Sequence, residues 1–101
     1  MSKITDSARG KPCTMRLDAV CNGDHATTVW CHIRGIRYGA GRGIKPPDLI
    51  GLYACSDCHD ALDKRIRKDK TGKVLDYEFV RLCAYEGHFE SLYMLWEEGI
   101  I

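Results

Sequence analysis

Apolar and polar positions change rhythm several times along this 101-residue chain. Residues 27–33 (TTVWCHI) are β-branched and aromatic, which predicts a strand. Residues 48–54 (DLIGLYA) predict a second one. Between them, residues 34–47 (RGIRYGAGRGIKPP) form a glycine-rich basic loop that cannot hold a helix, with Pro46-Pro47 stiffening its exit. A helix follows over about 57–68, with Asp residues early and Lys64, Arg65, Arg67 and Lys68 late, the order that suits a helix dipole. Thr71-Gly72 breaks it. Residues 75–86 then place Leu75, Phe79, Leu82, Cys83 and Glu86 at helical spacing, and Gly87 reads as a stop. Residues 88–98 repeat the pattern with Phe89, Leu92, Tyr93 and Trp96, and Gly99 closes it. Two C-terminal helices are therefore expected, covering the sheet or meeting a partner. Before the first strand come a polar basic arm (1–12), expected to lack order, a short mixed segment with a Cys at each end (13–21), and an Asn22-Gly23 turn. The class predicted is α+β, organised as a flexible arm (1–12), a core (13–70) and an acidic helical extension of the same domain (71–101).

Six cysteines change this picture. A single small domain has a modest core and gains from a staple, either disulfide or metal. The first residues contain no apolar run of the secretory kind, and no stretch is apolar and long enough to span a bilayer. A cytoplasmic location follows as the expectation, and there thiols stay reduced. Close-spaced Cys then read as metal ligands in preference to disulfides. Cys55-x2-Cys58 has the spacing of half a zinc site. Cys13-x7-Cys21 is a looser half, and its two residues could instead be small apolar ones. Four thiolates in two pairs match closed, tetrahedral structural zinc. The Asn22-Gly23 turn could aim backbone N–H groups at the Cys21 sulfur. Cys83 reads as a core thiol on an apolar helix face.

Charge adds a direction. The net charge of +1 conceals fourteen Lys/Arg against eight Asp in residues 1–73, and one Arg against six acids in residues 74–101. A basic body suggests a polyanionic partner, although a segregated, solvated surface would look the same. Arg34, Arg37, Arg42 and Lys45, with Tyr38 among glycines, could grip phosphates and stack a base, or simply line a flexible surface loop. The loop lacks the GxxxxGK[ST] spacing of a nucleotide-binding P-loop.

Candidate chemistry lies at His32, which ends the first predicted strand, and at His59 and Asp63, one helical turn apart. Hydrolysis of a phosphodiester needs an activated water, stabilised negative charge and help for the leaving oxygen. His32 could take the proton, and a divalent ion held by His59 and Asp63 could do the rest. The bland reading of His32 is a polar strand end. His25, in a turn, and His88, at a helix start, read as exposed and structural. Trp30 and Trp96 read as core.

The order Cys13, Cys21, Cys31-His32-Ile33, Asp48-Leu49-Ile50, Cys55-Ser56-Asp57-Cys58-His59 resembles the HNH, or His-Me finger (ββα-metal), endonucleases that carry a cysteine zinc knuckle. The run GIKPPDLIGLYACSDCHDALDKR is similar to the small YbcO-like family of lambdoid prophages, described as nucleases. The likeness covers roughly residues 8–68 and implies a zinc-stapled ββα-metal core in a bacterial host. It implies His32 as general base, His59 as ligand to a catalytic Mg or other divalent ion, Asp63 as a second ligand, and Asp48 in place of the Asn that orients the base. Cys31 departs from the pattern, because relatives place Asp or His there and Cys is a poor magnesium ligand. The function implied is metal-dependent cleavage of DNA. Two rivals stand beside it: a non-catalytic zinc module that binds DNA or a phage recombination protein, and a purely structural zinc protein.

Overall fold

The computed structural model describes residues 3–34 and 48–101. Helix α1 (Lys3–Asp6) and a 3-10 turn (His25–Thr27) precede strand β1 (Val29–His32). Strand β2 (Gly51–Ala54), helix α2 (Ser56–Leu62) and helix α3 (Tyr77–Glu97) follow. The result is a small α+β protein on a two-stranded antiparallel sheet, in register Val29↔Ala54 through His32↔Gly51. Among the described residues, no helix is long and apolar enough to cross a membrane.

Strand alternation sends side chains to opposite faces, and both faces are covered. Cys31, Leu52 and Ala54 enter one core with Met15, Leu17, Val20, Leu62 and Val80. Trp30 and Tyr53 enter another with Ala8 and Leu95. The N-terminal segment is therefore no loose arm: Ala8 is buried, and Ser7 Oγ shares a 2.7 Å hydrogen bond with the Tyr53 hydroxyl.

Helix α2 stops at Leu62, six residues earlier than its charge pattern suggests. Lys64 adopts a left-handed conformation (φ 62). Lys64 N–H bonds Ala61 O, and Arg65 N–H bonds Asp60 O at 2.8 Å, which closes the helix with the Schellman pair usually built on glycine. Lys64 also lies over the Tyr77 ring, 4.3 Å from its centre. The late cations thus leave the helix. Arg67 and Lys68 lie beyond the closing turn on a hairpin in which Lys68 pairs with Val74, and Asp69 Oδ1 receives Thr71 and Lys73 N–H.

The two expected C-terminal helices are one. Gly87 sits inside α3, where a Cβ would stand 2.7 Å from Thr14 Oγ1 and 2.9 Å from Leu52 Cδ1. Gly87 is the point of closest approach to the sheet, and the stop lies at Gly99 (φ 72). Phe79, Leu82, Phe89, Tyr93 and Trp96 face outward, Trp96 at 65% exposure against its reading as core, while Cys83 and Leu92 are half-buried against the cores. The face on the sheet is Val80, Ala84, Gly87, Ser91 and Leu95. Helix α3 also serves the open edge of β2 as a strand would: Ser91 Oγ accepts Tyr53 N–H at 3.0 Å, and His88 Nδ1 donates to Gly51 O at 2.7 Å.

Candidate active site and metal centre

The cysteine cluster is assembled from three turns of chain. Cys55 caps the N-terminus of α2, its sulfur accepting Cys58 N–H at 3.4 Å. Cys13 and Cys21 bracket a loop bent by left-handed Arg16 (φ 49) and Ala19 (φ 56). The four sulfurs all lie within 4.8 Å of one another. Cys21 and Cys55 sulfurs are 3.8 Å apart, about the edge of a tetrahedron with 2.3 Å zinc–sulfur bonds. Backbone N–H groups ring the cluster: those of Arg16, Cys55 and Met15 at Cys13, Leu17 at Cys58, and Gly23 at Cys21. The Asn22-Gly23 turn thus supplies a donor to Cys21. The Cys13 thiol is pulled well below its usual range, chiefly by the hydrogen bond from Cys58, and the same bond pushes Cys58 up. Burial raises Cys21. Four soft donors this close, ringed by N–H groups, fit a zinc ion that replaces their protons.

His32 and Asp48, sixteen residues apart in the chain, meet at the end of β1, with His32 Nε2 lying 3.1 Å from Asp48 Oδ1. Trp30 holds that aspartate in place, because its indole N–H donates to Asp48 O at 2.6 Å. The Trp30 ring in turn needs glycine at position 51, since a Cβ there would stand 2.5 Å from Trp30 Nε1. His59 and Asp63 pair on α2, Nε2 to Oδ2 at 3.0 Å, with Arg65 3.6 Å from the same oxygen.

His32 and Asp63 line one cavity of about 300 Å³, together with Leu62, Tyr77 and four cations: Arg34, Lys64, Arg65 and Arg81. Arg81 reaches it from α3, held by Tyr85 Oη (2.7 Å) and Arg34 O (3.4 Å). The sequence holds a signal for it, as Arg81 is the single cation after Lys73. Cys31 points the other way, 1% exposed in the core, its thiol pushed up to about 12 chiefly by burial. Arg37, Arg42 and Lys45 lie outside the described residues.

These features define a class: a small α+β protein with a four-cysteine cluster that could hold a metal ion and a cationic, histidine-bearing cavity. The family model described as "Putative nuclease YbcO" matches residues 2–100, and the chain belongs to that family. It is 39% identical to "Putative nuclease YbcO" of Escherichia coli (strain K12), over all of this chain and 98% of that protein. The same figures hold for "Putative nuclease ybcO" of Enterobacteria phage 82. A solved structure described as "a putative bacteriophage protein from Escherichia coli str. K-12 substr. MG1655" superposes with a TM-score of 0.76 at 38% identity, covering 94% of this chain and 98% of that one.

Proposed function

We propose that this protein is a metal-dependent DNA endonuclease of the HNH, ββα-metal type, stapled by zinc at Cys13, Cys21, Cys55 and Cys58. The observation that carries the reading is the single cavity shared by His32, Asp63 and four cations.

In the proposed reaction His32 is the general base. Asp48 can only accept, so Nε2 carries the hydrogen and Nδ1 is left to take a proton from water. Asp48 holds that tautomer and steadies the imidazolium that forms. The His59 and Asp63 ligand atoms, 3.0 Å apart, fit adjacent corners of an octahedron with bonds of about 2.1 Å. A divalent ion bound there would supply Lewis-acid stabilisation of the phosphate and of the leaving oxygen. Arg34, Lys64, Arg65 and Arg81 bind phosphate oxygens around the cavity. The exposed Arg67, Lys68, Lys70 and Lys73 extend this grip along the hairpin, which is anchored to the cysteine loop by Lys70 N–H on Ala19 O at 2.9 Å. A zinc ion held by Cys55 and Cys58 would fix the start of α2 and hence His59.

His32→Ala is expected to remove metal-dependent DNA cleavage while zinc content and circular dichroism stay as in the parent. Equal cleavage by the variant would sink the mechanism. The buried Cys31, which leaves the position before the base without a ligand, favours a second reading: a zinc module that binds DNA or a phage recombination protein without cutting. Binding without cleavage in Mg, Mn, Ni and Zn would point there.

A further inference from the structure

Neither metal centre accounts for the outer face of α3. Opposite the face on the sheet stand Phe79, Leu82, Phe89, Tyr93 and Trp96, each between 53% and 67% exposed. Scattered surface apolar residues need no explanation, but a continuous stripe does. Positions 79, 82, 86, 89, 93 and 96 alternate steps of three and four, the seam of a coiled coil, and Glu86 is its one polar member. With aromatic side chains of about 200 Å² each, the stripe exposes about 600 Å² of apolar surface. Two such faces, fully covered, would bury at most about 1,200 Å², the lower bound for a specific interface.

We propose that α3 is a homodimerisation helix, packed antiparallel against α3 of a second copy about a twofold axis between Gly87 and His88. In that register Phe79 meets the partner's Trp96, Leu82 meets the partner's Tyr93, and Glu86 meets the partner's Phe89. The stripe is thus its own complement, as an isologous contact requires. Glu86 never faces itself, and one polar residue in a seam fixes register at some cost in stability. The helix is acidic: Glu90, beside the seam, is ion-paired within the chain to Arg16 at 2.6 Å, whereas Glu78 stands opposite the partner's Glu97 in this register, a like-charge pair at each end of the contact that salt would screen. No seam residue lines the cavity of His32 and Asp63.

Analytical ultracentrifugation of the zinc-loaded full chain tests this. Twice the mass of one chain is expected at tens of micromolar. Leu82→Glu and Tyr93→Glu, both at exposed positions, are each expected to weaken dimerisation about 100-fold, with zinc content and circular dichroism unchanged. Trp96→Gln is the milder variant should either glutamate perturb the fold, and it too should weaken the dimer. A parent that stays monomeric at hundreds of micromolar would overturn the proposal, whether or not a basic amphipathic peptide then binds the stripe. A dimer that survives these substitutions would place the contact elsewhere and overturn it as well.

Discussion

In the proposed reaction His32 works only if one ring nitrogen is kept occupied, and a carboxylate at 3.1 Å does this. The useful property of Asp48 is its acceptor oxygen, and its charge adds a smaller share. Asp48→Asn can keep an acceptor facing Nε2 and is expected to retain cleavage within about tenfold of the parent. Asp48→Ala frees the ring to rotate and to change tautomer, and should cost about 100-fold or more. Single-turnover cleavage rates of the two variants would separate these effects, and equal losses would show that Asp48 acts through its charge. Spacing alone made much of this neighbourhood legible. The four cysteines that meet within 4.8 Å are the two pairs read from the sequence, and His59 and Asp63 pair one turn apart as helical geometry requires. Asp48 was legible only through likeness to a family, because sixteen residues separate it from His32. Arg81 was missed because the cavity it lines is shared with residues distant in the chain, His32 and Arg34 among them.

At the scale of elements, the sequence misleads where glycine and small residues have more than one use. Gly87 after an apolar run reads as a helix stop, but here it lets α3 lie against Thr14 and Leu52. The buried face of α3 is made of Val80, Ala84, Gly87, Ser91 and Leu95, whose modest size gives a weaker signal than the large residues opposite. Periodicity marked the large apolar residues, most of which lie on the outer face, and left open whether they cover the sheet or meet a partner. Gly87→Ala tests the packing. Helix propensity alone would stabilise the variant by about 1 kcal/mol. The added Cβ would overpack a site in which Thr14 Oγ1 is already committed to Tyr53 O at 2.7 Å, a cost of about 1–3 kcal/mol. The clash should win, giving a net loss of about 1 kcal/mol in urea unfolding. A stabilised variant would mean that α3 stands further from the sheet. Lys64 gives the same lesson at the end of α2: a lysine in the left-handed region hides the stop, and the cations beyond it belong to a hairpin.

For the whole molecule, the formal charge of +1 is the least informative number in the sequence. Two of the acids of the C-terminal segment are consumed internally, Glu90 binding Arg16 beside the cysteine loop and Glu98 binding Lys11. The cations at 64–73 have fewer internal partners: Arg65 is paired with Asp60 and Asp63, while Arg67, Lys68, Lys70 and Lys73 are exposed along the hairpin. A surface built this way should bind a polyanion through counterion release, so affinity must fall as salt rises. Replacing Lys68, Lys70 and Lys73 together with Gln should weaken duplex binding alike for all sequences. It should also lower the slope of log affinity against log salt by about 0.9 for each phosphate that is no longer neutralised. The measurement belongs in the His32→Ala background, where the proposed cleavage cannot consume the probe. If the parent binds and the triple variant keeps its slope, the grip lies off the hairpin, with the Arg37, Arg42 and Lys45 segment the next place to look. If the parent itself shows no salt-dependent binding, the cationic cavity does not serve DNA, and the nuclease reading fails with it.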